Sequence, residues 1–462
     1  MARLADDFEF EAYSRMSATI RERYQRNHTR TLYADAEKTL DFYRLVLPNG
    51  LELEQVPLFW PAKAIGVFSS RLRPAGYLSG DSALLTELET LLEAASADLW
   101  EKLAIRSALR HGPAFVFTSL GDQSVGEPPV VVTVSSALSA TAEVNRVGAV
   151  TAALEMLGGG MANLYLPGRV LTVNRSTGRR LVVESEHDMP TALVQCAPYV
   201  HDITTEKPFG SSRITRPIMG ITDAGVRTFM RSEVSAEWYM HPRERLLGVD
   251  ASAFEDAPGW VRTIGGIEVL PDIHPEDEPR IPDSLRRASV HTPPQMSMQP
   301  FSDQMRMIAG LFSGAASIPP QYLGIVAESN PQSAQAVWAN EIDLVRAVED
   351  QYASFNRGRK ALAANVLALV HGRSFDAMAA ATLRPQWQDA KTRSPIEQGQ
   401  FVAQQVQVGN FQSGTRATLE QLPIPPEVAR LHAEENRRAE ASGLLDKVLS
   451  KTAQPADDAT AE

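Results

Sequence analysis

The stretch 330–372 constrains the fold of this chain more than any other part of it. After Asn330-Pro331, a cap followed by a first-turn proline, apolar residues recur at helical spacing at Trp338, Ile342, Val345, Val348, Tyr352, Phe355, Leu362, Val366 and Leu369, before Gly372. Unbroken, such a helix is about 60 Å long at about 1.5 Å per residue. Gly358, between Arg357 and Arg359, is the expected kink. A second long helix is expected over 214–240, where Pro217 falls in the first turn and Gly220, Ala224, Gly225, Ser232, Ser235 and Ala236 stand among larger residues. Small residues let a neighbouring helix approach closely, so this helix is expected to pack on others. Helices this long and this rich in small residues exceed what one subunit covers, which points to a homo-oligomer.

The remaining segments divide by period. Ala12, Tyr13, Met16, Ile20 and Tyr24 continue a helical stripe from Phe8, and Leu84, Leu88, Leu91, Ala95, Leu99 and Leu103 keep helical spacing as far as His111-Gly112-Pro113. Short β-rich runs follow at 114–118, 130–134, 147–156, 162–166, 169–173, 181–184 and 192–196, punctuated by Gly158-Gly159-Gly160, Pro167-Gly168 and Thr177-Gly178. They read as one curved or barrel-like antiparallel sheet. The segment 241–298 loses helical periodicity and is loaded with Pro and Gly. Its acidic run, Glu268, Asp272, Glu276, Asp277, Glu278 and Asp283, is broken only by Arg280 and suits a solvated loop. Helix returns over 300–313 and turns follow to 330. A last helical block opens at the capping box Ser394-Pro395-Ile396-Glu397 and continues through Pro425-Pro426-Glu427 to about residue 450. Residues 452–462 have the composition of a disordered tail. The fold class is α+β, with long helices and a Pro-rich acidic insertion.

Composition narrows the function. With 462 residues, 44% apolar and 22% charged, the chain can bury two or three domains. A net charge of −11 disfavours tight nucleic-acid binding by phosphate neutralisation, but not a protein that lets nucleic acid pass. The single cysteine, Cys196, excludes an intrachain disulfide or a Cys-rich zinc site, and is expected to be buried. Asp6, Asp7, Glu9 and Glu11 behind the first methionine do not read as a signal peptide, and 361–370 is about half a bilayer span, so a soluble, cytoplasmically made protein is expected. Gly121 to Gly126 has the glycines of a phosphate loop but puts Glu127 and Pro128 where Lys and a hydroxyl belong. The nearest histidines, His187 and His201, are too far apart to share a helical face. Gly310-Leu311-Phe312-Ser313-Gly314 places its serine one position late for a nucleophile elbow. No catalytic residue, metal ligand or cofactor is expected.

Three segments, in this order and spacing, carry a resemblance. They are 60–77, ending Ser70-Arg71-Leu72-Arg73-Pro74-Ala75-Gly76-Tyr77; Pro208-Phe209-Gly210-Ser211-Ser212-Arg213-Ile214-Thr215-Arg216-Pro217; and Phe312-Ser313-Gly314 through Ile318-Pro319-Pro320-Gln321-Tyr322-Leu323-Gly324 to Asn330-Pro331-Gln332-Ser333-Ala334. The chain resembles the portal proteins of tailed bacteriophages, especially siphophages infecting actinobacteria, from about residue 24 to 438. The resemblance implies a ring, usually a dodecamer, around a DNA channel at the capsid vertex of the virion. It implies a wing over 1–208, stem helices over 209–240 and 299–315, a clip over 241–298 and a tunnel loop over 316–332. A long kinked helix and wing return over 333–385, a crown over 386–451 and the tail at 452–462 complete it. Gly324, Ile325, Val326, Ala327, Glu328, Ser329 and Asn330 then face the channel; an ordinary interhelical turn is the plainer reading of those residues. Gly220, Ala224, Gly225, Ser232 and Ala236 become stem packing positions between subunits. Implied partners are further copies of the chain, double-stranded DNA, the terminase large subunit, a head-completion or adaptor protein, and the major capsid and scaffold proteins, with no membrane. The motor ATPase of such systems is a separate protein. The alternative is a soluble enzyme whose site follows no recognisable motif.

Overall fold

The computed structural model describes residues 3–40, 55–175, 181–240, 244–247, 267–270, 280, 282, 297–324, 334–391, 395–419, 421–422, 424 and 426–452. The chain divides into two compact units, Met1–Ala390 and Lys391–Glu462.

Helix α1 (Asp7–Ala34) begins at a reciprocal cap, in which the Asp6 carboxylate accepts from the Glu9 N–H and the Glu9 carboxylate accepts from the Asp6 N–H. Its predicted stripe of Ala12, Tyr13, Met16 and Ile20 is buried, whereas Phe8 and Tyr24 at the stripe's ends are exposed. The stripe lies on an antiparallel sheet of β1 (Arg3–Leu4), β5 (Ala140–Val144), β6 (Val150–Gly158), β7 (Met161–Leu166), β8 (Arg169–Asn174) and β9 (Val182–Asp188), ordered β1-β9-β8-β7-β6-β5. Alternation divides this sheet: Ala152, Leu154, Leu164 and Leu171 join the α1 core, while Ala153, Tyr165 and Val170 join Phe115, Phe117 and Cys196 of a second sheet. That second sheet is β3 (Pro113–Leu120) flanked by β10 (Cys196–Val200) and β4 (Val130–Ser136), all antiparallel.

The single barrel-like sheet expected from the sequence is therefore two stacked sheets. The physical reason is that both faces of each sheet find apolar cover, so neither has to close on itself. Cys196 is buried, as expected. The strand expected at 192–196 begins only at Cys196, and β5 was not foreseen. Beyond the second sheet, Ala114, Val116, Ala197 and Tyr199 enter a helical core with Phe68, Ile105, Phe355, Leu362 and Val366. These come from α2 (Trp60–Arg71), α4 (Ala97–His111) and α8 (Tyr352–His371).

Two expected helices are broken. The stripe from Leu84 splits into α3 (Ser82–Ala94) and α4, because Ser96 adopts a left-handed conformation with φ of 51°. The break rotates the buried face, so Leu99 and Leu103 are exposed while Ala104, Ile105, Ala108 and Leu109 are buried. The long helix is α7 (Ala334–Glu349) followed by α8, interrupted at Asp350 and Gln351 rather than kinked at Gly358; its expected cap at Asn330-Pro331 lies outside the described residues. Gly358 has another task. A Cβ there would stand 2.6 Å from the Pro198 carbonyl oxygen, so glycine is what lets α8 lie against β10.

At this contact Arg359, 1% exposed, is fully engaged. Its Nε donates to Glu101 Oε1 at 2.9 Å, Nη1 to the Gln386 carbonyl at 2.6 Å and Nη2 to the Gly76 carbonyl at 3.1 Å. The Tyr199 hydroxyl donates to the same Glu101 oxygen at 2.6 Å. Gly76 and Gln386 belong to β2 (Pro74–Leu78) and β13 (Arg384–Trp387), an antiparallel pair that sequence patterning did not predict.

Helix α5 (Arg216–Met240), with Pro217 in its first turn as predicted, packs on α6 (Gln299–Ala316). Within the segment expected to be irregular, β11 (Glu244–Leu247) pairs in parallel with β12 (Ile267–Leu270), placing Glu268 in a strand in register with Arg245 rather than in a loop. Asp272, Glu276, Asp277, Glu278 and Asp283 lie outside the described residues. Helix α9 (Ala377–Ala381) precedes β13.

The second unit is interrupted rather than one helical block. It holds α10 (Pro395–Gln407), α11 (Arg416–Leu419) and α12 (Pro426–Thr452), with Gly409 and Gly414 at positive φ between the first two. Ala429 and Ala433 of α12 are buried, and Asn436 Nδ2 donates to the Gly414 carbonyl at 3.1 Å. Pro395 stands at the first helical position as expected, while Ser394 and residues 453–462 lie outside the described residues.

Candidate functional site

The segment singled out by sequence, Gly324 through Asn330, is described only at Gly324, but the frame that carries it is complete on the α6 side. Helix α6 ends where Ser317 takes a left-handed φ of 50° and the buried Ser313 hydroxyl donates to the Ile318 carbonyl at 2.6 Å. Ser313 therefore serves as a helix-end clasp, on a helix rather than on the strand-to-helix turn that a nucleophile elbow requires. Pro319 and Pro320 open a short 3-10 turn, Pro320–Leu323, and Gly324 closes it at φ +82°, a conformation that favours glycine. Ile318 and Leu323 are buried in the helical core.

Three side chains lock this turn to the helices around it. Arg71, at the end of α2, pairs with Glu341 of α7 at 3.0 Å and donates Nη1 to the Ala390 carbonyl at 2.9 Å. Its Nη2 donates to the Tyr322 hydroxyl at 3.0 Å, and that hydroxyl donates to Glu341 Oε1 at 2.6 Å. Burial, reinforced by the bond to Glu341, raises the Tyr322 pKa above its ordinary value. The 3-10 turn and the helix after the loop are thus tied to the end of α2 through one partly buried triad. Beside it, the Arg213 guanidinium sits 3.7 Å from the Phe68 ring centroid and donates to the Ala316 carbonyl, the last residue of α6. Burial lowers the Arg213 pKa to about 10. None of Arg71, Arg213, Tyr322 or Glu341 was picked out as a site residue. The first three do stand in the segments that carry the resemblance, which is the one signal that could have found them.

The expected packing positions on α5 separate once the neighbours are seen. A Cβ on Gly225 would meet Leu58 Cδ1 at 2.6 Å and Trp60 Cζ3 at 3.0 Å, so Gly225 serves a close approach within the chain. Gly220 is exposed, with nothing near its Cβ position. Ala224 and Ala236 are half-buried, and the half-buried Ser232 donates its hydroxyl to the Phe229 carbonyl at 2.6 Å. The open apolar face belongs to α6. Met307 and Leu311, one turn apart, are 60% and 58% exposed, and Gly310 and Gly314 beside them have no neighbour at their Cβ positions.

Among the described residues, no group of three or more His, Cys, Asp or Glu side chains could hold a metal, and no helix is long and apolar enough to cross a membrane.

No family model matches the chain. It is 23% identical over 357 residues to the portal protein of Mycobacterium phage D29, covering 74% of this chain and 71% of that one. It is 24% identical over 356 residues to the portal protein of Mycobacterium phage L5, covering 69% of this chain and 66% of that one. Solved structures similar to it include the neck of the native GTA particle computed with C12 symmetry, at a TM-score of 0.41 and 13% identity, covering 79% of this chain and 90% of that one. The neck of the empty GTA particle computed with C6 symmetry scores 0.40 at 12% identity, with the same 79% and 90% coverage.

Proposed function

We propose that this chain is a structural portal protein: a ring-forming subunit, twelve to the ring, at the capsid vertex of a phage-like virion, through which double-stranded DNA enters and leaves. The observation that carries the reading is the similarity, over 74% and 69% of the chain, to two proteins that both bear that name. The anatomy we assign is a wing in 1–208, stem helices α5 and α6, a clip between them, a tunnel loop at 316–332 held by the Arg71–Tyr322–Glu341 triad, the helices α7 and α8, and a crown from 386. The open face of α6 at Met307 and Leu311 supports a helix-to-helix contact between copies there, since a lone soluble subunit gains nothing by exposing that apolar stripe. Gly220, on α5, is open to the same use. The terminase large subunit, a head-completion or adaptor protein, and the capsid and scaffold proteins are the partners such a ring would dock, and the role requires no chemistry of its own.

Particle mass tests the reading. Twelve copies of a 50.5 kDa chain come to about 600 kDa. A purified protein that stays a monomer at micromolar concentration would refute it. In the loop, Glu328→Arg on every subunit would set a ring of positive charge at the constriction, so DNA should be retained there in a salt-dependent way while assembly is unaltered. Unchanged packaging and retention would sink the loop assignment.

A further inference from the structure

Helix α1 carries three arginines that the portal reading does not use. Arg23, Arg26 and Arg30 follow one another at helical spacing along one edge of α1 and line a cleft of about 240 Å³, whose opposite wall includes Lys207. No carboxylate forms an ion pair with any of the three among the described residues; Arg30 donates only to the His111 carbonyl, at 3.2 Å. Glu206, the one acid in the lining, leaves the cleft three positive charges in excess, in a chain whose net charge is −11. Burial, and then the neighbouring arginine in each case, lowers the pKa of Arg26 and brings that of Arg30 to about 10.

Two of the residues lining the cleft each carry a buried acceptor atom without a partner. Asn27, 1% exposed, donates Nδ2 to the Ala137 carbonyl at 3.0 Å and leaves Oδ1 without a hydrogen bond. His111, 4% exposed, is kept neutral by burial, its pKa lowered to about 3. Its tautomer follows from its neighbour. The Thr31 hydroxyl donates to the Asn27 carbonyl at 3.2 Å, so His111 Nε2 donates to that hydroxyl at 3.0 Å, and Nδ1 is left as a bare lone pair, which also has no partner. Buried polar atoms without partners are rare and costly, and two residues of this one cationic cleft carry them.

We propose that this cleft binds a phosphate group that retains a proton. Its oxygens accept from the arginine fork, and its P–OH donates to Asn27 Oδ1 or His111 Nδ1. The volume suits a small anion, inorganic phosphate or the terminal group of a phosphate monoester, rather than a duplex. Sulfate has the same shape and charge class but no proton near neutral pH, so it leaves the acceptors unpaired. The cleft should discriminate against it.

The test is calorimetric titration of the full-length protein at pH 7 with inorganic phosphate, with sulfate at matched ionic strength, and with a 5′-mononucleotide. Saturable phosphate binding is expected, with sulfate at least tenfold weaker. Arg26→Gln and Arg30→Gln should each weaken phosphate binding at least tenfold, while Arg21→Gln, an exposed change on the same helix, leaves it intact. Melting curves of each variant report folding independently; removing an uncompensated cation should not lower the melting temperature. A mononucleotide that binds tighter than phosphate assigns the monoester as the source, and equal binding assigns the free ion. The proposal is overturned by an absence of saturable phosphate binding, by equal sulfate affinity, by insensitivity to both arginine changes, or by binding of duplex DNA alone.

Discussion

Removing one oxygen from the loop triad should have a measurable and bounded effect. Tyr322→Phe deletes a hydroxyl that accepts from Arg71 at 3.0 Å and donates to Glu341 at 2.6 Å. Hydrogen bonds to charged groups contribute about 1.5–3 kcal/mol each. Arg71 and Glu341 nevertheless remain paired with each other at 3.0 Å, so neither charge is stranded and the cost should sit near the low end, about 1.5–2 kcal/mol. Arg71→Ala is a different perturbation. It leaves the Glu341 carboxylate, whose side chain is only 12% exposed, without its counter-ion, and it frees the Ala390 carbonyl; the cost of breaking such a pair is about 3–5 kcal/mol. The order of the two is therefore fixed by the geometry. Urea unfolding of each variant reads it out, and native-state proteolysis within 325–333 reads the same effect locally, with Tyr322→Phe raising cleavage about tenfold if the turn opens before the chain unfolds. The reasoning fails if Tyr322→Phe costs as much as Arg71→Ala, or if both cost less than about 0.5 kcal/mol, the size of an ordinary surface change.

Other outcomes follow from features of the same kind. Arg359→Ala should lower unfolding stability by about 3–5 kcal/mol by stranding Glu101, and the double change with Glu101→Ala should cost clearly less than the two single changes added, as a double-mutant cycle in urea will show. Leu311→Asp on the open face of α6 should shift particle mass from ring to monomer while changing subunit stability by no more than about 0.5 kcal/mol, measured by mass photometry and melting. Acid should weaken the first unit from about pH 6.5 downward. Burial lowers the folded-state pKa of His201 to about 4 and of His111 to about 3, so the unfolded chain binds more protons below 6.5 and each histidine removes about 1.4 kcal/mol per pH unit until its folded value is reached. His201→Gln should flatten that slope; an unaltered pH profile would refute the assignment. Glu9, whose carboxyl the Arg3 guanidinium holds below its ordinary value, gives stability that is present above about pH 4.5 and lost as the pH falls through the folded value, readable as loss of β1 pairing by amide exchange.

Local signals in the sequence were read well where one element answers to one period. The stripe of α1, the first-turn proline of α5 and the extent of α6 are set by residues within each helix, and they stand where the pattern puts them. The failures share a cause outside the element. Ser96 stands at the N-cap of α4 but makes no side-chain cap bond, and a lone serine among alanines is too weak a signal to mark the end of α3. Gly358 reads as a kink because glycine is permissive, whereas its role is to leave room for the Pro198 carbonyl, which is 160 residues away in the chain. The pairing of β2 with β13 joins segments too distant for periodicity to link. Around the loop, the flanking prolines and Gly324 announced a turn, but the triad that fixes it draws on α2 and α7, and nothing in the spacing of Arg71 and Glu341 couples them. The arginine cleft was invisible for the same reason: Arg23, Arg26 and Arg30 look like a solvated helix face until Asn27 and His111 are seen beside them.

Arg71 holds the loop base with one nitrogen and the Ala390 carbonyl with another, and Ala390 is the last residue of the first unit. The guanidinium is therefore a mechanical coupler as well as a counter-ion. Ala390 is itself buried in the helical core, and the bond from Arg71 to its carbonyl links that point to Tyr322 and Glu341 through one side chain. The chain at Ala390 and the turn at 320–324 therefore share one guanidinium, so a change at either point bears on the other through Arg71.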